Sequence, residues 1–225
     1  TSQNIALKIA EELLHCTLED FSRWHGAKAI APASREDVPW AQALVPEALV
    51  IAQPEGNLGE RLNALDRHFR AQGYTKILYI GSDCPRLSPQ DLQDASGALD
   101  EHDAVLLPAT DGGVVLMGCR RPWPDLAKLP WSEQTLGSAL KSSLQLAQYS
   151  IHESGLYQDL DTRSDAIAML PSLVNDKRVS RQCLHQTIVA LIKPRLSIII
   201  PCFKDERHLK SLLVQLTSGA IIADE

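Results

Sequence analysis

Lys76-Ile77-Leu78-Tyr79-Ile80-Gly81-Ser82-Asp83-Cys84-Pro85, continued by Arg86-Leu87-Ser88-Pro89-Gln90-Asp91, is the stretch that decides the fold. Residues 76–81 form a short apolar run, which reads as a central, buried strand ending in Ser82-Asp83-Cys84-Pro85. A helix opens at Ser88: Pro89 takes the first helical position, where its missing N–H costs nothing, and Asp91 completes a capping box. Leu92, Ala95 and Leu99 then share one helical face.

The same alternation runs outward in both directions. Upstream, residues 3–24 read as an amphipathic helix, 27–31 and 48–52 as short apolar strands, and Pro32, Pro39 and Pro46 as loop with one helical turn around Trp40. Gly56-Asn57-Leu58-Gly59 opens a helix whose stripe is Leu58, Leu62, Leu65 and Phe69, closed by Gly73. Downstream come a strand at 104–108, the turn Asp111-Gly112-Gly113 and a strand from Val114 to Gly118. Next are a helix capped by Ser132, a strand at 146–151, a helix boxed by Thr162 and Asp165, and a helix near 179–192. This order predicts an α/β fold, a Rossmann-like, mainly parallel sheet with helices on both faces.

One strand is missing from that pattern. In such sheets the chain normally enters through a central strand whose loop grips phosphate, but here it enters through a helix. Conversely, Leu196-Ser197-Ile198-Ile199-Ile200-Pro201 and the helix expected from Asp205 read as the first strand, loop and helix of another domain. The domain reading is therefore 1–193 for the first unit, lacking its first strand, and 194–225 for a truncated second. The run at 196–200 is also the expected substitute for the missing strand, because an open central slot leaves backbone groups unpaired.

Composition narrows the function. Among 225 residues, 44% are hydrophobic, enough for a core, and the net charge is −6 without a basic stripe. Nucleic-acid binding is disfavoured, since neutralising phosphates takes clustered Lys and Arg. The five cysteines are scattered, which fits free thiols and a cytoplasmic location rather than a disulfide framework or zinc site. No apolar run has transmembrane length, so no transmembrane helix is expected, and the first residues do not read as a signal peptide.

Chemistry concentrates in acids at strand ends. Asp83 directly follows a buried strand, where ligands of open α/β sheets bind, and a carboxylate there either holds a hard cation or caps a turn. Asp159 and Asp161 point to one side if extended, as a metal pair or as charge complementing the following helix. Asp111-Gly112-Gly113 reads as a tight turn or as a close approach to a ligand. Gly56 and Gly59 at a helix start, with Arg61, offer N–H groups to an anion or form a loop. The histidines show no metal spacing, and neither a hydrolase elbow nor a Walker loop is present.

Taken together these motifs resemble a known family. Gln53 with Gly56-Asn57-Leu58-Gly59-Glu60-Arg61-Leu62, Ile80-Gly81-Ser82-Asp83-Cys84-Pro85, Pro108-Ala109-Thr110-Asp111-Gly112-Gly113, Pro130-Trp131-Ser132 and Asp159-Leu160-Asp161-Thr162 follow one order over residues 3–172. That order looks like the bacterial "transferase 1" family (domain of unknown function 2064), whose members sit beside radical-SAM and selenodomain genes. They are often labelled arsenosugar-biosynthesis glycosyltransferases and have the GT-A nucleotide-diphospho-sugar transferase fold.

The resemblance implies Mg²⁺ or Mn²⁺ on Asp83 and Asp161; as strand-end acids on one sheet edge these two are expected to reach one metal, and Asp159 could substitute for Asp161. It implies catalytic roles for Asp83 and Asp111. It also places the Asp111 loop, with Gly112 and Gly113, and Trp131-Ser132 near the sugar or acceptor; Gly56, Gly59, Arg61 and Ser82 are the further residues expected to contact nucleotide or substrate. Two departures stand out: the family's opening strand with its basic phosphate loop is absent, and Val114 replaces the usual aromatic after Asp-Gly-Gly. The tail resembles the start of a family 2 glycosyltransferase, so the parent reads as a fusion protein with a downstream transferase domain. The expected activity is metal-dependent glycosyl transfer from a nucleotide-diphospho-sugar to a small-molecule acceptor. The alternatives are nucleotidyl transfer from a nucleoside triphosphate, or a non-catalytic partner domain.

Overall fold

The computed structural model describes residues 2–192, with backbone only for Ser2, Gln3 and Ile192. The expectations placed on 194–225, including Cys202 and the strand at 196–200, lie outside the described residues.

The elements run α1 (Ser2–Ser22), β1 (Ala29–Ile30), α2 (Val38–Leu44), β2 (Leu49–Val50), α3 (Leu58–Ala71), β3 (Ile77–Ile80) and α4 (Pro89–Glu101). They continue through β4 (Ala104–Pro108), β5 (Val114–Cys119), α5 (Leu136–Leu146), β6 (Ile151–Glu153), α6 (Arg163–Leu173) and α7 (Val179–Ile192). Short-range chemistry fixes several boundaries. Asn57 with Glu60, Ser88 with Asp91, and Thr162 with Asp165 each form a complete capping box at the starts of α3, α4 and α6.

Four strands form one sheet in the order β3-β5-β4-β6. β5 lies antiparallel to both β3 and β4, while β4 and β6 are parallel. It follows that β3, β4 and β6 point the same way and β5 alone runs against them. β1 and β2 pair in parallel as a separate ribbon. Side chains of β4 alternate: Val105 and Leu107 join the α4 side with Leu92, Ala95 and Leu99. Ala104 and Leu106 face the α5 side with Leu140 and Leu144. A third apolar cluster packs α1 against α6 and α7 through Leu13, Cys16, Met169, Leu184 and Ile188.

Three expectations need correction. β3 is not a buried central strand: among the described residues it sits at the sheet edge, with Ile77 buried and Leu78, Tyr79 and Ile80 half-buried. β3 lines a cleft of about 580 Å³ together with Ala29 and Leu49 of the β1–β2 ribbon and the neighbouring Ala31. Ser132 does not cap a helix. Its φ is 67°, and α5 starts only at Leu136, after a turn in which Glu133 N–H donates to the Pro130 carbonyl. The strand expected at 146–151 begins at Ile151, because α5 continues through Leu146 and a turn at Gln148 (φ 58°) intervenes.

The four described cysteines, Cys16, Cys84, Cys119 and Cys183, are free thiols. Among the described residues, no helix is long and apolar enough to cross a membrane.

Candidate active site

The site is built where three parallel strands end. β3 runs out into Ser82-Asp83, and β4 into Thr110-Asp111. β6 stops at Glu153, but the chain returns to the same edge: Tyr157 bridges Ala109 in parallel, its N–H donates to Pro108, and its carbonyl accepts from Thr110. Asp159-Leu160-Asp161 therefore passes alongside the ends of β3 and β4. Leu160 N–H donates to the Asp83 carbonyl at 2.9 Å, and Tyr157 Oη donates to Asp91 at 2.6 Å, which anchors the segment on α4.

This brings Asp111, Asp159 and Asp161 together, each with a carboxylate oxygen within 4.8 Å of the others. Asp83 lies outside that trio, yet its charge acts on both Asp159 and Asp161. Partial burial, then the Asp111 charge, push the Asp159 carboxyl up to about 6. Burial, then Asp83 and Asp111, raise Asp161 as well. Three carboxylates thus meet, and the charge of Asp83 acts on two of them. Such an arrangement is unfavourable unless protons or a cation offset the repulsion. The donor set fits a hard divalent ion: oxygens about 2.0–2.5 Å from one ion lie at most about 4–5 Å apart.

The other sequence candidates divide into two groups. Asp83, Asp159, Trp131 and Ser132 all line the 580 Å³ cleft, so two of the four acids open onto it. That volume is within the common range for ligand sites. Trp131 Nε1 donates to the Leu126 carbonyl at 2.8 Å, which fixes the ring, and Ser132 follows it in the left-handed region. Ser82 is exposed at the end of β3.

The remaining glycines and Arg61 carry structural roles. A Cβ on Gly59 would lie 2.0 Å from the Leu126 carbonyl oxygen, so this glycine lets α3 pack on the 126–131 loop. Gly112 has φ 95°, and a Cβ there would lie 1.9 Å from the Gln134 carbonyl oxygen. Gly113 N–H donates to Asp111 Oδ1 at 2.8 Å, closing the turn. Arg61 Nε donates to the Gly56 carbonyl at 2.7 Å. The start of α3 uses two N–H groups in its own cap, Asn57 to Glu60 and Glu60 to Asn57.

Burial pushes the Cys84 thiol up to about 11, which disfavours a thiolate nucleophile beside the acids.

Sequence reading passed over Asp20, Arg178 and Arg181. Arg181 is fully buried, and Asp20 almost so, in contact with both arginines. Nothing local announces them, since an arginine on a helix ordinarily faces solvent.

The comparisons agree with this architecture. No curated protein sequence matches the chain. Fourteen solved chains are similar to it. One is a Desulfovibrio desulfuricans G20 protein described as a "putative nucleotide-diphospho-sugar transferase". It is 24% identical, with a TM-score of 0.76 over 84% of this chain and 85% of that one, a likeness of fold. Residues 17–133, more than half of the sequence, match the family model described as "Uncharacterized protein conserved in bacteria (DUF2064)", and the chain belongs to that family.

Proposed function

We propose that this protein transfers a group from a nucleotide-activated donor, most simply a glycosyl group from a nucleotide-diphospho-sugar to a small acceptor in the cytoplasm. The observation that supports this reading is the Asp111–Asp159–Asp161 cluster, within 4.8 Å, at the carboxyl ends of parallel strands. The Desulfovibrio protein's description as a "putative nucleotide-diphospho-sugar transferase" points the same way.

Asp111, Asp159 and Asp161 would hold Mg²⁺ or Mn²⁺, with Asp83 adding its field. When bound, the ion supplies neutralising charge for the diphosphate that leaves. The protein's own groups do the rest. Trp131 offers a fixed aromatic face to a base or sugar ring along the cleft, and Ser132 a hydroxyl beside it. The tight Asp111-Gly112-Gly113 turn holds its own carboxylate through the Gly113 N–H, beside Asp159 and Asp161.

The decisive experiment is calorimetry of the chain with Mn²⁺ and a panel of nucleotide-sugars and nucleoside triphosphates, followed by product analysis. Release of a nucleoside diphosphate supports glycosyl transfer. Pyrophosphate would mean nucleotidyl transfer instead. Failure to bind any nucleotide in the presence of Mn²⁺ would sink both enzymatic readings and leave a partner domain.

A further inference from the structure

We infer that Arg178 and Arg181 are positioning residues for the acidic cluster, acting through the carbonyls of the loop that follows Asp83. The inference rests on the metal-binding reading above. Arg181 Nε donates to Pro85 at 2.9 Å, and its Nη2 to Leu87 at 3.1 Å. Arg178 duplicates both contacts, to Leu87 at 2.7 Å and Pro85 at 3.3 Å. Both guanidiniums also bind Asp20 on α1. Arg181 adds the Cys16 carbonyl at 2.5 Å. Arg178 adds Asp176 at 2.6 Å.

The loop is thus gripped from two sides. On the α7 side, two cations hold its carbonyl oxygens. On the other, Leu160 N–H holds the Asp83 carbonyl and the Cys84 thiol reaches the Gln158 carbonyl at 3.6 Å. The grips fall on Asp83, Cys84, Pro85 and Leu87, so the backbone bearing the Asp83 carboxylate is held relative to Asp159 and Asp161. Docking α7 on α1 does not require the arginines, because Leu13, Cys16, Leu184 and Ile188 already bury that contact. Burying two guanidiniums costs several kcal/mol each before pairing, and apolar replacement of a whole buried ion pair, both partners together, is often neutral or stabilising. Four hydrogen bonds to two carbonyls of a single loop are what an apolar replacement could not supply. Residues that orient metal ligands commonly change affinity by about 10–100-fold when removed.

The test compares Arg178→Met and Arg178→Lys with Leu144→Ala, a core truncation on the far, α5 side of the sheet. Mn²⁺ affinity is read by electron paramagnetic resonance of the free ion, and exchange of the Leu160 amide by hydrogen–deuterium exchange. Arg178→Met should weaken Mn²⁺ binding about tenfold or more and expose the Leu160 amide. Lys at 178, able to reach one carbonyl, should recover part of both. Leu144→Ala should lower the thermal midpoint and leave both readings as in the wild type. The inference is overturned if folded Arg178→Met binds Mn²⁺ like the wild type and protects Leu160 equally, or if Leu144→Ala moves both readings as far. Wild-type protein that binds no Mn²⁺ would instead defeat the metal reading, and Leu160 exchange alone would then decide whether the arginines position the loop.

Discussion

Leu160 N–H donates to the backbone carbonyl of Asp83 at 2.9 Å. That one bond ties the end of β3 to the acidic segment 159–161 across 77 residues of sequence (160 − 83). It makes the position of Asp83 and that of the Asp159–Asp161 pair a single geometric quantity.

Divalent metal should stabilise the protein, because an ion that binds only the folded cluster shifts unfolding by mass action. At about 100 times its dissociation constant the gain is about 2.7 kcal/mol. Asp161→Asn and Asp111→Asn should each abolish most of the rise in thermal midpoint with Mn²⁺. An undiminished rise in both variants would place the ion elsewhere.

Asp159 should make the metal-free protein weaker as pH rises. Its folded carboxyl titrates at about 6 against an ordinary 3.8, so the folded state binds the proton more tightly. That stabilisation is fully present below about pH 4 and is lost as pH climbs through 6. Asp159→Asn, which removes the repulsion, should gain stability relative to wild type between pH 5 and 7, while losing Mn²⁺ binding. Urea melts at several pH values in chelator measure this; a constant difference between the two proteins would contradict it.

Removing Arg181 entirely should be severe. Arg181→Met leaves Asp20, which is 3% exposed, with Arg178 as its remaining guanidinium partner. Breaking a buried pair from one side costs about 3–5 kcal/mol. The double variant Arg181→Met/Asp20→Leu should recover much of that loss. If the double variant is no more stable than the single one, the charge left behind is not the cause.

Gly112→Ala should destabilise by roughly 2–3 kcal/mol, since it combines a left-handed backbone with overpacking. The nearest obstacle is the Gln134 backbone carbonyl, 1.9 Å from a Cβ, which cannot swing aside as a side chain would. Chemical denaturation checks this, and a loss below about 0.5 kcal/mol would mean that the turn opens at little cost.

The sequence by itself determined the elements whose causes are local. The capping boxes at Asn57, Ser88 and Thr162 close over three residues, so a short window contains both partners. Alternating side chains likewise place Val105 and Leu107 opposite Leu106. The ordered acidic and glycine motifs indicated the family and which strand ends to watch. Tertiary structure decided everything that rests on distant partners. β3 is an edge strand among the described residues because its neighbours are set by chain topology, and its apolar composition suits either place. Asp111 joins Asp159 and Asp161 because Tyr157 returns the chain to the end of β4. Arg181 is buried because Asp20 and two loop carbonyls meet it there, 94 to 161 residues away in sequence. A charged residue's environment is a property of its spatial neighbours, and at such separations the surrounding sequence carries almost no record of them.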